Sequence, residues 1–462
     1  MQLGSLQPIA RECEHMAMPV REWSHWATGY GVPRVLLNLQ ARRGDPLSRL
    51  LTIDSNPVDN IYPLIEQVRA RGRMAPVEKV GWVSADAQII REVLRDSRFR
   101  TIKQRDRSPF RVAQRILAKT APDVPNPLEP PSMLVTDPPE HTRLRRLVSR
   151  SFTPRALDAL RVRIREITDE LLSGLDGRAR CDLVAEYTSQ LPIAIIVEML
   201  AVPRDDTRYL LAISETTTKL IGISAPSWRD FREAMKALGD FDEYLGRHIE
   251  RLRRGAAANS ILSDVVHNSD LTEAEIRMLA GLLLGAGFVT TTHVLGKAVV
   301  ALVRHPDQLA ALRTNPGGWP NAVEEILRYD TTGQLAARVA TENLDLHGYP
   351  VRTGETIFLL VGGANRDPAV FEHPNAFDTT RANARDHITF GTGVHACLGA
   401  ALARMELQIG LQSLFEHFPQ LNLAGEPSFN GSIGLHGLTQ LPVSLRAASG
   451  APSSGAARPR WR

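Results

Sequence analysis

The chain has 462 residues, of which 43% are hydrophobic and 23% charged, as expected for a globular protein with a large core. Its net charge of +4 would suggest a nucleic-acid partner, but four arginines in the acid-free stretch from residue 446 onward equal that whole excess, so none is expected. The cysteines, Cys13, Cys181 and Cys397, are far apart, which argues against disulfides or a zinc site and favours a reducing cytoplasm.

The two ends of the chain are predicted to lie outside the folded body. Residues 1–55 are broken by glycines and prolines and carry no interpretable motif, so we expect an irregular N-terminal extension. Residues 446–462 are rich in Ala, Ser, Gly and Pro and are expected to form a disordered basic tail. The most apolar run, residues 280–289, is shorter than the roughly 20 residues that cross a bilayer, so no membrane anchor is expected.

Between these ends, short strand patterns occur near the beginning and helical patterns dominate the rest. A helix pattern from Asn60 ends at Gly72, strand-like runs follow at 76–80 and 81–84, and a second helix is predicted over DAQIIREVLRDS. Residues 155–255 form several amphipathic helix patterns. The sequence therefore predicts a mainly α (α+β) protein, a helix-rich body with a small β-sheet on its N-terminal side.

A basic helix pattern follows the proline-rich loop at residues 122–131. In DPPEHTRLRRLVSRSF, Asp137 and the prolines after it mark a helix start. His141 and Arg145 are four residues apart and share a face, so both can meet one anion. The alternative is a basic stripe that contacts only solvent.

The longest helix pattern begins with Thr272 and Glu275, which have the spacing of a capping box, and runs to about Arg304. At 1.5 Å per residue such a helix is about 50 Å long and crosses a whole domain. Its interior contains three glycines, Gly281, Gly285 and Gly287. Glycine is unfavourable inside a helix, so these positions are expected to leave room for a planar ligand or for dioxygen.

The last and most informative motif is FGTGVHACLG, from Phe390 to Gly399, which leads into an apolar helix pattern. Cys397 lies at the start of that helix, where unpaired backbone N–H groups favour a thiolate. Glycines in this loop permit a tight turn and a close approach to something flat. His395 can donate a hydrogen bond to a nearby anion. The alternative for Cys397 alone is a buried small hydrophobe.

This loop resembles, position for position, the F-G-x-G-x-H-x-C-x-G motif of the cytochrome P450 family. Three further segments resemble family motifs and occur in the family's order: the arginine-rich helix, the run AGFVTT and the E-x-x-R of NAVEEILRYD. The resemblance spans about residues 57–445. It implies a single cytochrome P450 domain over 56–445, with haem b (iron protoporphyrin IX) between the long central helix and the cysteine loop.

The resemblance also implies roles for individual residues. Cys397 would be the axial ligand of the haem iron. The residues expected to contact the haem are His141, Arg145, Ala286, Arg338, Phe390, Gly391, His395, Cys397 and Gly399, of which His141, Arg145, Arg338 and His395 would meet its propionates. The buried structural network is expected to contain Glu325, Arg328 and Arg381.

On the oxygen side, AGFVTT resembles the family's A-G-x-[D/E]-T-[T/S], with Thr290 in the place of the threonine that bonds dioxygen. Val289 stands where the family usually has an acid, and valine cannot relay a proton. Either water, Thr291, Thr292 or His293 takes over, or the substrate supplies an acidic group, or the oxygen chemistry is atypical. The catalytic candidates are Thr290 and Thr291.

The favoured function is a cytoplasmic haem-dependent monooxygenase that uses dioxygen to hydroxylate or otherwise oxidise a small, hydrophobic organic substrate. No reductase module fits in the chain, so ferredoxin and ferredoxin reductase are expected to donate electrons, with Arg146, Arg150 and Arg404 as candidate docking charges. Because of Val289, the alternative is a haem-thiolate binding or sensing protein without efficient turnover. A dinucleotide dehydrogenase, suggested by the glycines of the cysteine loop, fails because too little chain follows for a second half of the sheet.

Overall fold

The computed structural model describes residues 20–52, 60–103, 106, 108, 110–221, 226–255 and 260–445. The α-helices are α1 Val32–Arg42, α2 Pro46–Leu51, α3 Tyr62–Arg69, α4 Ala87–Arg95, α5 Arg111–Thr120, α6 Glu140–Ser149, α7 Pro154–Ser173, α8 Gln190–Met199, α9 Thr207–Ile221, α10 Trp228–Arg253, α11 Ile261–Asn268, α12 Glu273–Arg304, α13 Pro306–Thr314, α14 Trp319–Tyr329, α15 Val361–Ala364 and α16 Ala400–His417. The strands are β1 Ala75–Val77, β2 Gly81–Ser84, β3 Phe99–Thr101, β4 Arg180–Asp182, β5 Leu335–Ala340, β6 Leu344–Leu346, β7 Tyr349–Val351, β8 Thr356–Leu360, β9 Asn422–Leu423, β10 Ser428–Phe429, β11 Leu438–Gln440 and β12 Pro442–Ser444.

Helix α12 is the centre of the helical body. The predicted capping box is present, because the Thr272 hydroxyl accepts from the Glu275 backbone and the Glu275 carboxylate accepts from the Thr272 backbone N–H at 2.8 Å. The helix packs against α8, α10 and α16 within the largest apolar core. By length and composition it could cross a membrane, but 61% of its most apolar window is buried inside the protein, as in a core helix.

The predicted sheet near the N-terminal side is confirmed and contains five strands in the order β1-β2-β8-β5-β3. The pair β2 and β8 is parallel, and the other neighbouring pairs are antiparallel. Two of its three inner strands, β8 and β5, come from the second half of the chain. In the β3–β5 pair Thr101 faces Arg338, which fixes the position of Arg338 beside the loop that precedes α6.

The prediction that residues 1–55 are irregular is wrong for the part that the structure describes. Residues 20–42 are helical, with a π-helical segment at Ala27–Gly31, and α2 follows directly. The prolines that argued against helices lie in the first turns of α1 and α2, where a missing N–H costs nothing, and Asp45 caps α2. The predicted tail, 446–462, lies outside the described residues, and the division into an extension, one domain and a tail stays a prediction.

Candidate functional site

Backbone geometry explains two of the glycines in the cysteine loop. Gly391 has φ +65° and Gly393 has φ +74°, values that other residues rarely adopt. A side chain on Gly393 would also place its Cβ 2.6 Å from the Leu94 carbonyl oxygen. The Cys397 N–H donates to the Phe390 carbonyl at 2.8 Å and closes the loop. Gly399 is the N-cap of α16, and open space lies where its Cβ would be.

The thiol of Cys397 borders an internal space. Its side chain is accessible although protein atoms surround it closely. Burial raises the pKa of this thiol, and the Gly399 backbone N–H, Arg145 and Arg404 oppose that shift only in part. The backbone at the helix start does favour the thiolate, as expected, but desolvation of the thiol outweighs that contribution. An anionic sulfur here needs a further positive charge, such as a metal ion.

Arg404 packs against the cysteine loop at Phe390. Its guanidinium lies 4.5 Å from the centre of the Phe390 ring and donates to both carboxylate oxygens of Glu324, at 2.8 and 3.0 Å. Burial alone would raise the pKa of Glu324, but hydrogen bonds from His387 and Arg404 lower it to about 2. Arg404 is thus engaged inside the fold, and it is not a free docking charge.

The structure brings together the four basic side chains that the family resemblance assigned to one anionic group. The rings of His141 and His395 lie 4.2 Å apart between their centroids, and His141 is only 2% exposed. Among the described residues, neither His141 Nδ1 nor His395 Nε2 has a hydrogen-bond partner. The Asp137 carboxylate lies 3.7 Å from His395 Nε2, within ion-pair range when that imidazole is protonated. Burial, then the nearby charges of His395 and Arg145, lower the pKa of His141 to about 4.

The two arginines of this group lack a counter-ion in the described part of the chain. Arg145 donates to the Val394 carbonyl at 3.3 Å, and Arg338 donates to its neighbouring Ala337 carbonyl at 2.9 Å. Burial lowers the pKa of Arg338, with Asp137 as the nearest opposing charge. A buried guanidinium without a partner costs free energy, so this site fits a ligand that carries carboxylates.

Glu325, Arg328 and Arg381 form a buried ion network. Arg328 and Glu325 are both 0% exposed and joined by hydrogen bonds of 2.6 and 2.8 Å, and Arg381 lies 3.2 Å from the same carboxylate. The remaining N–H groups of Arg328 donate to the carbonyls of Asn365, Pro374 and Ala376. The network therefore fixes α14 to the segment 365–381, which leads into the cysteine loop.

The middle of α12 also borders an open space. Ala286 is exposed although its helix runs through the interior, and nothing lies where a Cβ on Gly285 would be. Thr290, one turn further on, is partly exposed, and its hydroxyl donates to the Ala286 carbonyl at 3.0 Å. Val289 is packed in the core. Thr291 is buried and lies beside Glu406 of α16, so the structure does not place it with Thr290 on the open face.

The family model described as Cytochrome P450 matches residues 111–315 and 320–435 of this chain. The chain belongs to the cytochrome P450 family. It is therefore a haem-dependent monooxygenase, and enzymes of this family use dioxygen, a small-molecule substrate and electrons from redox partners.

Several bacterial P450s are similar over most of this P450's length. A putative cytochrome P450 140 of Mycobacterium tuberculosis is 37% identical over 431 residues, which cover 91% of this chain and 97% of that protein. The crystal structure of CYP164A2 from Mycobacterium smegmatis has a TM-score of 0.75 and 33% identity, covering 88% of this chain and 100% of that one. A structure of P450BioI in complex with a hexadec-9Z-enoic acid ligated acyl carrier protein has a TM-score of 0.76 and 30% identity, covering 84% of this chain and 99% of that chain.

Sequence reasoning missed two groups of buried polar residues in this P450. Glu406 is fully buried, and burial raises its pKa well above the usual range, although a hydrogen bond with Thr291 opposes the shift. Lys297 is buried on α12 and pairs with Asp330 at 3.0 Å. Glu406 and Lys297 are both charged residue types that lie inside apolar helix patterns, and this pattern could have indicated buried polar groups. His436 is buried near this ion pair.

Proposed function

We propose that this P450 holds haem b through Cys397 and hydroxylates or otherwise oxidises a small, hydrophobic organic substrate in the cytoplasm. The observation that carries the proposal is the group of basic side chains His141, Arg145, Arg338 and His395 beside an accessible thiol, because its two arginines have no counter-ion among the described residues. A haem has an iron that takes a thiolate and two carboxylates that take these cations. The residues present therefore fit the cofactor that the family implies.

When bound, the haem supplies the iron at which dioxygen, two electrons and two protons convert a substrate R–H into R–OH and water. The chain's own residues prepare that site. Cys397 would hold the iron as a thiolate, and the charge of the iron would offset the rise in the thiol pKa that burial causes. Arg145 and Arg338 fix the orientation of the cofactor through charge-assisted hydrogen bonds to its carboxylates.

The open face of α12 supports the assignment of the oxygen side. We infer that the space beside Ala286 and Thr290 is the same space that Cys397 borders, because α12 and α16 pack against each other. Thr290 would hold a proton at Oγ1 toward dioxygen. Thr291 is left out of this role, since it lies on the buried side of the helix beside Glu406.

Electrons would come from ferredoxin and ferredoxin reductase. Arg146 and Arg150 of the α6 region are exposed, and neither forms an ion pair with a described residue, so both are free to meet an acidic partner. Arg146→Glu should slow reduction at low salt, with the difference disappearing at high salt as charges are screened. Arg229→Glu on α10 serves as the control, and equal reduction rates for both variants would refute the docking site.

The decisive experiment is the absorption spectrum of the reduced, carbon monoxide-bound protein. The wild type should show the band of a thiolate-ligated haem, and Cys397→Ser should lose it. Cys181→Ser is the matched control. Cys181 is also a free cysteine, and it lies in β4, far from the cysteine loop. Retention of the band in Cys397→Ser, or purified wild type without porphyrin, would refute the proposal.

A haem-binding protein that senses without turnover is the second candidate, and Val289 is the observation that favours it. Oxidised product from the wild type with a surrogate ferredoxin system would exclude it. Ligand binding with no product and no reductant consumption would establish it instead.

A further inference from the structure

A buried polar cluster continues the open face of α12 beyond Thr290. His293 and Lys297 follow Thr290 by three and seven residues, so all three lie on nearly the same side of the helix. Lys297 is about 10 Å from Thr290 along the helix axis. We call the group His293, Lys297, Asp330, Thr332 and His436 the distal polar cluster.

One end of this cluster can reach water. Lys297 Nζ donates to Asp330 Oδ1 at 3.0 Å and to the Thr331 carbonyl at 2.7 Å. The Tyr62 hydroxyl donates to the same Asp330 oxygen at 3.1 Å. Although protein atoms surround Asp330, 25% of its side-chain surface stays accessible. A proton can therefore enter the cluster at this carboxylate.

The other end of the cluster touches the catalytic helix at Thr290. The Thr332 hydroxyl donates to the Thr290 carbonyl at 3.4 Å, and the Thr332 carbonyl accepts from the His436 backbone N–H at 2.9 Å. The His436 ring is 2% exposed and stacks on Phe429. The backbone of His436 is thus fixed beside Thr332, and its ring lies near enough to Lys297 and Asp330 for their charges to act on it.

The middle of the cluster contains unpaired polar atoms. Within the described ranges, both ring nitrogens of His436 and Nδ1 of His293 lack hydrogen-bond partners. The His293 ring packs against Gly437, and its Nε2 accepts from the Asn430 side-chain amide at 3.3 Å, so only Nδ1 is left for a water. A buried polar group without a hydrogen-bond partner is unfavourable. Ordered water commonly satisfies such groups in proteins, so water is expected between these rings.

We propose that ordered waters connect His436 to His293 and Lys297 and form a proton relay from Asp330 to Thr290, which replaces the acid absent at Val289. The inference rests on the proposed monooxygenase function. For each proton taken from solvent at Asp330, one leaves at Thr290 Oγ1, and every group in between returns to its starting state. The reaction's two protons are thus supplied without a carboxylate on the open face of α12.

The charge state of the two rings suits a relay. Burial, and next the charge of Lys297, lowers the pKa of His436 to about 4 and that of His293 to about 3. Both imidazoles are therefore neutral near pH 7, and each has one N–H donor and one acceptor nitrogen. A neutral imidazole between waters can accept a proton on one nitrogen as it gives one up from the other.

The test measures reductant consumption by the haem-loaded enzyme with a surrogate ferredoxin and its reductase, in H₂O and in D₂O. This assay needs only dioxygen, so no substrate has to be known. His436→Phe should lower the rate about 10-fold and enlarge the solvent isotope effect, since positioned proton transfer contributes at least that much. His436→Gln keeps a donor and an acceptor and should stay within about 3-fold of the wild type.

Two further variants separate a relay from a packing effect. Val289→Glu in the His436→Phe background should restore the rate, because it places an acid next to Thr290 in the sequence. If Val289→Glu does not restore the rate of the His436→Phe variant, the role of His436 is structural and the relay is overturned. His248→Gln, in a buried histidine of α10, is the control and should match the wild type.

The remaining outcomes are equally distinct. If His436→Phe consumes reductant at the wild-type rate, the relay is refuted. The relay is also refuted if Glu406→Gln lowers that rate while His436→Phe does not, because the proton source would then lie behind Thr291. A high-resolution crystal structure should show ordered water at both His436 nitrogens, and a dry ring refutes the relay even if a variant does not fold. An absent carbon monoxide band in the wild type would instead refute the proposed function itself.

Discussion

Arg328→Met removes the cation at the centre of the buried network that fixes α14 to the segment before the cysteine loop. The change deletes two hydrogen bonds to Glu325 and one each to the carbonyls of Asn365, Pro374 and Ala376. Arg381 remains within 3.2 Å of the Glu325 carboxylate, so that charge keeps one partner. The three carbonyls lose this donor inside the protein.

The expected loss of stability follows from that geometry. Removing one partner of a buried ion pair typically costs about 3–5 kcal/mol. Unfolding entropy is about 2.1 cal/mol/K per residue, or about 0.8–1 kcal/mol/K for a chain of this size, so the melting temperature should fall by about 3–6 °C. We expect the effect in the haem-loaded and in the haem-free protein, because the network does not contact the proposed haem site directly.

Thermal unfolding followed by circular dichroism, with Arg229→Met as the control, tests this magnitude. Arg229 also pairs with a glutamate, Glu233, but its side chain is 88% exposed, so its loss should leave the melting temperature unchanged. If Arg328→Met lowers the melting temperature no more than Arg229→Met does, the network does not carry the stability that its burial implies.

Three further predictions concern the site. Val289→Glu should lower the fraction of consumed reductant that appears as hydrogen peroxide, and an unchanged fraction would show that the missing acid does not limit proton delivery. Arg338→Leu should accelerate haem transfer to an acceptor protein about 10- to 100-fold, the equivalent of a hydrogen bond to a charged group. The same variant should stabilise the haem-free form by removing an unpaired cation, and slower haem transfer would contradict the assigned contact. Because folding lowers the pKa of His141 from 6.5 to about 4, the unfolded chain binds more protons in that interval, so stability falls as pH falls from about 6.5 to 4. The free energy of unfolding of haem-free His141→Gln, measured in urea, should depend less on pH between about 6.5 and 4 than that of the wild type. An equal pH dependence in both proteins would contradict the lowered pKa of His141.

Much of the site was predictable because it rests on local geometry. The capping box at Thr272 and the positive φ angles of Gly391 and Gly393 depend on short stretches of backbone, which the sequence specifies directly. The spacing of Glu325 and Arg328 likewise fixes their common face on one helix. The residues of the cation group could be named only through the family resemblance, since they come from α6, β5 and the cysteine loop.

The sequence by itself determined the helix-rich fold class and the cysteine loop, because each follows from periodicity or from a motif within one segment. Of the three glycines expected to leave room along the long helix, only Gly285 faces open space, whereas Gly281 and Gly287 pack against Phe241 and Ile196. Only the tertiary structure decided that residues 20–51 are largely helical, that Arg404 is occupied by Glu324 and that Thr291 lies on the buried side. It alone brought His436 to Lys297 and Asp330. Burial and the pKa shifts that follow from it depend on which distant segments meet, and no local pattern specifies that meeting.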